Sequence, residues 1–166
     1  MFGATSFVGQ ILSEYMISKY ADQENITWAA AGRSKSKLEA LRTSLGSKAN
    51  GLPLIVADAA VESTLKDMVS QTGVIISTVG PYALYGELLV KVCAETGTDY
   101  CDLTGEPQWI REMISKYEET AKNSGARIIH CCGFDSIPSD LGVYYLQQQA
   151  KAQFGEVCNH IKMGVK

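Results

Sequence analysis

Near the start of the chain, Gly3-Ala4-Thr5-Ser6-Phe7-Val8-Gly9 has the composition of a turn that holds phosphate. Glycines let backbone N–H groups come close to a pyrophosphate, and a helix beginning there adds partial positive charge. The spacing is G-x-x-S-x-x-G, so Ser6 stands where the middle glycine of a G-x-x-G-x-x-G loop would be. Serine is small, and its hydroxyl can donate to a phosphate oxygen. A chance glycine turn before a helix competes with this reading. The strand–helix alternation that follows favours the phosphate loop.

A second group sits at Ala29-Ala30-Ala31-Gly32-Arg33-Ser34. A site for NAD places a carboxylate about 20 residues past the glycine loop, against the ribose 2′-hydroxyl. None is present here. Arg33 stands in its place, with Gly32 before it and Ser34, Lys35 and Lys37 after it. Cations at a helix N-terminus are unfavourable unless an anion joins them, and a 2′-phosphate held by the planar guanidinium is such an anion. The expected cofactor is therefore NADPH in preference to NADH; a solvated basic turn is the alternative. Asp58-Ala59 falls where a carboxylate can accept from the adenine amine, or where it can cap the helix that carries Leu65.

Two further loops face the same edge. Ser77-Thr78-Val79-Gly80-Pro81-Tyr82 lies across the topological switch point, where Val79, Gly80 and Pro81 are expected beside the cofactor. Tyr82 and Tyr85 are candidates to present phenols to a substrate. The segment His130-Cys131-Cys132-Gly133-Phe134-Asp135-Ser136-Ile137-Pro138-Ser139-Asp140 offers Asp135 as a proton donor or substrate anchor. Asp140 reads as a first-turn helix charge and His130 as a satisfied buried histidine. The catalytic candidates are thus Tyr82, Tyr85 and Asp135. A Tyr-x-x-x-Lys pair is missing from its expected place, which weakens a short-chain dehydrogenase reading.

The elements that must position these groups alternate. The runs 26–31, 52–57, 74–79, 98–103, 127–132 and 156–165 read as strands. Between them come helices: one bearing Ile11, Leu12, Tyr15 and Met16 as its apolar face, one begun by Ser34 and stopped at Gly46, and one marked by Leu65, Met68 and Val69. Further helices are expected over 85–96, from Pro107, and over 138–152. Such alternation means parallel pairing through right-handed crossovers, an α/β fold with a doubly wound parallel Rossmann sheet. Only Met1 and Phe2 precede the glycine loop, so the first, central strand is expected to be truncated and to pair poorly. Residues 1–153 read as the dinucleotide-binding domain, and 154–166 as the first strand of a truncated C-terminal substrate domain.

The bulk properties exclude several classes. With 166 residues and a net charge of −3, the balance argues against a general nucleic-acid binder, which needs a basic face. No apolar run is long enough to span a bilayer, and Met1 to Gln10 does not read as a secretory signal. The cysteines Cys93, Cys101, Cys131, Cys132 and Cys158 lack zinc-ligand spacing, so no metal is expected. They read as reduced, buried thiols of a reducing, cytoplasmic compartment.

With these motifs in hand, the chain resembles the saccharopine dehydrogenase-like oxidoreductases, which include the trans-acting enoyl reductases. The matching segments are GATSFVGQILSEYM, AAAGRSKSKLEAL, STVGPYALYGELLVKVCAETGTDYCDLTGEP and GFDSIPSDLG. They run from Gly3 to Gly142, against the N-terminal Rossmann part of that family. The family loop reads GATGFTG, and Ser6 and Val8 depart from it. The resemblance implies an NADP-dependent enzyme that transfers hydride to or from an unsaturated or imine substrate. It implies cofactor contacts at Gly3 to Gly9, Arg33, Asp58 and Gly80, and a C-terminal domain that completes the substrate site. A small-molecule substrate and a homo-oligomer formed through that domain are the partners expected. The alternative is a non-catalytic dinucleotide-binding or scaffold module.

Overall fold

The computed structural model describes residues 1–21, 23 and 25–165. Its strands are β1 (Ala30–Gly32), β2 (Leu54–Val56), β3 (Val74–Ser77), β4 (Asp99–Asp102) and β5 (Ile128–Ile129). Pairing is parallel, β1 with β2 and β3 with β4 with β5. Phe2 joins the two halves by bridging Ala31 on one side and Ser77 on the other. The order is therefore β2, β1, Phe2, β3, β4, β5. The expectation of a poorly paired first strand is corrected here. The amides of Phe2 and Gly3 donate to Ile76 and Ala31 (2.8 and 2.9 Å), and those of Ala31 and Thr78 donate to Met1 and Phe2 (2.8 and 2.9 Å). Even a very short segment is held when both neighbouring strands accept and donate.

The helices are α1 (Phe7–Tyr20), α2 (Lys35–Ser44), α3 (Glu62–Val69), α4 (Tyr82–Tyr85), α5 (Glu87–Thr96), α6 (Pro107–Ser124) and α7 (Ile137–Phe154). Ser34 caps α2 by accepting from the Lys37 amide at 3.4 Å, and Gly97 closes α5 with φ +75°. Pro107 opens α6, where its missing N–H costs nothing. The main core joins Phe2, Leu65, Met68, Ile75, Leu89, Val92, Tyr100 and Met113. A smaller one gathers Ala4, Ile17, Ala30, Leu38, Leu41 and Leu52. Leu38 and Leu65 are completely buried, each contributing roughly 1.5–3 kcal/mol by leaving water. Glu62–Lys91 (3.0 Å) ties α3 to α5, and Glu87–Lys116 (2.9 Å) ties α5 to α6. These pairs are solvated, so salt weakens them.

Two element readings need correction. The sheet-facing stripe of α1 is Gly9, Ser13 and Ile17, while Ile11 and Tyr15 are exposed. Small residues let the helix lie close to the loop, and the Ser13 hydroxyl donates to Gly9 O at 2.7 Å. Residues 156–165 form no strand. A strand needs a neighbour's backbone groups, and what this stretch has is Cys158 bonded in both directions to the Gln147 side-chain amide (3.0 and 2.7 Å). Lys166, the last residue of the segment 154–166 assigned to a second domain, lies outside the described residues.

Candidate functional site

The site begins at the carboxyl ends of Met1–Phe2, β1, β2 and β3, where a cleft of about 410 Å³ opens. That is within the range of small-molecule sites, ~300–1,000 Å³. Its lining includes Gly3, Thr5, Ser6, Gly32, Arg33, Ser34, Lys37, Asp58, Ala59, Val79, Gly80 and Tyr85. Loops from four separate parts of the sequence thus converge on one cavity.

The glycine loop fits a phosphate at close range. Gly3 has φ +87°, and a Cβ there would lie 2.6 Å from Thr78 Oγ1. A Cβ on Gly9 would lie 2.2 Å from Gly3 O, so α1 can start this close to the loop only without a side chain. Phe7 and Val8 occupy the first two helical positions, where amides have no acceptor inside the helix. Their N–H groups are the ones left for an anion. Ala4 and Gly9 are buried in the packing, and the Phe7 side chain is exposed.

Ser6, expected as a phosphate donor, lines the cleft with its hydroxyl engaged within the protein. Its oxygen accepts from Gly9 N at 3.0 Å, capping α1, and lies 3.0 Å from Thr78 Oγ1. Thr78 Oγ1 itself donates to Gly3 O at 2.9 Å, which directs the Ser6 proton to Thr78. Ser6 therefore fixes the loop, through a threonine that the sequence reading passed over.

At the other end of the cleft Arg33 and Lys37 are exposed, and no described residue forms an ion pair with either. Lys35 is turned toward Glu39 at 4.0 Å. Asp58 does not cap α3, whose N-cap is Val61. One Asp58 oxygen accepts from the Ala60 amide at 2.9 Å, and the Asp58 amide donates to Thr64 Oγ1 at 3.0 Å. This end of the cleft therefore presents two cations with no ion-pair partner among the described residues, and the edge of one carboxylate.

Beyond Gly80 the catalytic candidates separate. Pro81 is the N-cap of α4 and lies off the cleft. Tyr85 lines it, about half exposed. Tyr82 does not present its phenol to the cleft. The residue is 5% exposed, its hydroxyl donates to Ser77 O at 3.0 Å and accepts from Leu103 N at 3.4 Å, and its ring packs on Trp109. Burial pushes this phenol up to about 12. Tyr82→Phe in the full-length protein removes this partner from the buried Ser77 carbonyl and from the Leu103 amide, so it is expected to cost about 1–3 kcal/mol, read as a lower melting temperature. NADPH affinity should stay within twofold. Asp135 is exposed on the loop after β5 and does not line the cleft.

The sequence reading missed the polar groups that hold these loops. Glu106 accepts from the Tyr82 and Ala83 amides at 2.7 and 2.9 Å, fixing the start of α4. Asp102, 2% exposed, lies 2.7 Å from His130 Nδ1 and accepts from the Tyr100 hydroxyl at 3.0 Å. Burial first, then the Asp102 charge, raises the Tyr100 phenol well above its ordinary value. The cysteines are free, and Cys93 is buried, its thiol pushed up to about 12 by burial; Cys132 and Cys158 are exposed, contrary to expectation. Among the described residues no cluster of three His, Cys, Asp or Glu side chains could hold a metal ion, and no helix is long and apolar enough to cross a membrane.

Comparison with known proteins places this geometry. The saccharopine dehydrogenase NADP binding domain family matches residues 1–129. The chain is 46% identical over 150 residues to the trans-acting enoyl reductase of Mycobacterium ulcerans, covering 90% of this chain and 35% of that one. It is 45% identical over 160 residues to the trans-acting enoyl reductase of Mycobacterium leprae, covering 96% and 38%. It thus spans little more than a third of the length of these relatives. Among solved structures, apo saccharopine dehydrogenase (L-Glu forming) of Saccharomyces cerevisiae superposes with a TM-score of 0.71 at 21% identity, over 91% of this chain and 30% of that one. That match shows the Rossmann-like fold.

Proposed function

The chain belongs to the saccharopine dehydrogenase NADP binding domain family, and from that premise we propose that it is the cofactor-binding part of an NADP-dependent oxidoreductase. The bound nicotinamide would supply hydride chemistry, toward or from an unsaturated or imine carbon. The names of the mycobacterial relatives favour an enoyl substrate. The Phe7 and Val8 amides would hold the pyrophosphate, and Gly3 would leave room for its approach. Arg33, Ser34 and Lys37 would hold the 2′-phosphate, and Asp58 with Ala59 would border the adenine. Val79 and Gly80 would pass under the nicotinamide half, with Tyr85 and Asp135 toward the substrate. The 1–153 boundary for this domain is supported by α7 ending at Phe154 with Gly155 in the left-handed region.

The observation that carries this reading is the pair of cations Arg33 and Lys37, without an ion-pair partner among the described residues, in a cleft that Gly3, Gly32 and Gly80 also line. The test is to titrate the full-length protein with NADPH and NADH by nicotinamide fluorescence. NADPH is expected to bind at least about tenfold more tightly, one charged hydrogen bond's worth. Equal affinities would remove the basis for NADP. Consumption of NADPH with an α,β-unsaturated thioester such as crotonyl-coenzyme A separates an enzyme from a dinucleotide-binding module.

A further inference from the structure

We propose that Asp102 is a positioning residue, which through His130 and the loop backbones sets the geometry of the nicotinamide and substrate end of the cleft. This rests on the NADP reading above. Asp102 closes β4 at the carboxyl edge of the sheet, its carboxyl group wholly enclosed. Tyr100 and His130 share Oδ2, at 3.0 and 2.7 Å. The amides of Thr104 and Cys131 share Oδ1, at 3.1 and 3.2 Å. The main-chain oxygen of the same residue accepts from Cys132 N at 2.7 Å. One buried residue thus binds both loops that leave β4 and β5.

Each connection leads to the proposed substrate end. Cys131 has φ +61°, a conformation L side chains rarely adopt, and the bonds from its own amide and the next to Asp102 hold it there. Gly133 follows, and a Cβ on it would lie 2.8 Å from Leu103 Cβ, so the β5 loop rests on the β4 loop. On the other side, Thr104 N bonds Asp102, and the Thr104 hydroxyl accepts from Glu106 N at 3.1 Å. Glu106 in turn caps α4 at Tyr82 and Ala83, directly after Gly80 and Pro81. The Leu103 amide reaches the Tyr82 hydroxyl. His130, 9% exposed, is packed edge-on against Trp109 and Tyr100 and held by Asp102 through Nδ1. The loops carrying Gly80, Tyr85 and Asp135 are therefore referred to one carboxyl group. The loops that would hold the adenosine end, at Arg33 and Asp58, have no bond to it.

Asp102→Asn keeps size and shape but turns one acceptor oxygen into a donor NH₂, which must face either the two backbone amides or Tyr100 and His130. The full-length protein, wild type and Asp102→Asn, is titrated by calorimetry with NADPH and with 2′,5′-ADP, which carries only the adenosine half. NADPH affinity is expected to fall about tenfold, the equivalent of one lost hydrogen bond, while 2′,5′-ADP affinity stays within twofold. His130→Gln, which leaves the carboxyl group and its backbone donors in place, should shift the same ratio in the same direction by a smaller factor. Equal losses for both ligands, or an unchanged NADPH affinity in both variants, overturns the proposal. A wild-type protein that binds neither ligand overturns the NADP reading itself, and this proposal with it.

Discussion

Replacing Arg33 by alanine is expected to weaken NADPH binding by about 1.5–3 kcal/mol, the range for hydrogen bonds to charged groups, or roughly ten- to hundredfold. NADH binding should be nearly unchanged. The asymmetry follows from the cleft. Arg33 leaves β1 at its carboxyl end, and no described residue neutralises it. In water its charge is well solvated, so its presence costs the free protein little. A 2′-phosphate presents oxygens that a planar guanidinium can meet with two parallel bonds, whereas a 2′-hydroxyl offers no charge. Lys37, on the first turn of α2, would add a point charge without the fork. Its loss should therefore matter less than that of Arg33, and Arg33→Lys should recover only part of the affinity. Titration of the three variants of the full-length protein with both nucleotides provides the check. A parallel loss of NADH would mean that Arg33 acts on the loop and not on the phosphate.

The sequence displayed the elements better than the side-chain roles, for a physical reason. Strand and helix periodicity, the Ser34 cap and the Gly97 stop are local signals, written within a few residues. The cleft-lining glycines, Arg33 and Asp58 were legible because parallel strands bring their carboxyl ends to one edge. What a hydroxyl or carboxyl group bonds to is set by residues far away in sequence. Ser6 meets Thr78 and Tyr82 meets Leu103, so the serine also fixes its loop, and a phenol expected in the cleft serves the core. Asp102 gave no local signal for this role, because two of its partners, His130 and Cys131, lie 28 and 29 residues further on. The expected strand over 156–165 shows the converse failure. A β-compatible composition has no meaning without a partner edge.

The largest effect is expected at Gly9. Gly9→Ala adds a single methyl group, whose carbon would lie 2.2 Å from Gly3 O and 2.8 Å from Ala4 Cα and C. These are backbone atoms, so no side-chain rotation relieves the overlap, and α1 must move away from the loop. Overpacking of this kind costs about 1–3 kcal/mol and lowers the melting temperature. The consequence for the cofactor is greater than that for stability. The N–H groups of Phe7 and Val8 are aimed by the start of α1, and Ser6 holds that start by accepting from Gly9 itself. Displacing the helix turns both amides, and the partial charge behind them, away from the pyrophosphate. Two hydrogen bonds to a charged group are worth about 3–6 kcal/mol together, so NADPH affinity should fall by roughly a hundredfold or more. NADH should fall equally, because the pyrophosphate is common to both nucleotides. That shared loss distinguishes this variant from Arg33→Ala, which should separate them. If Gly9→Ala in the full-length protein lowers the melting temperature yet keeps NADPH affinity, the anion does not sit at the start of α1, and the dinucleotide would have to enter the cleft in another orientation.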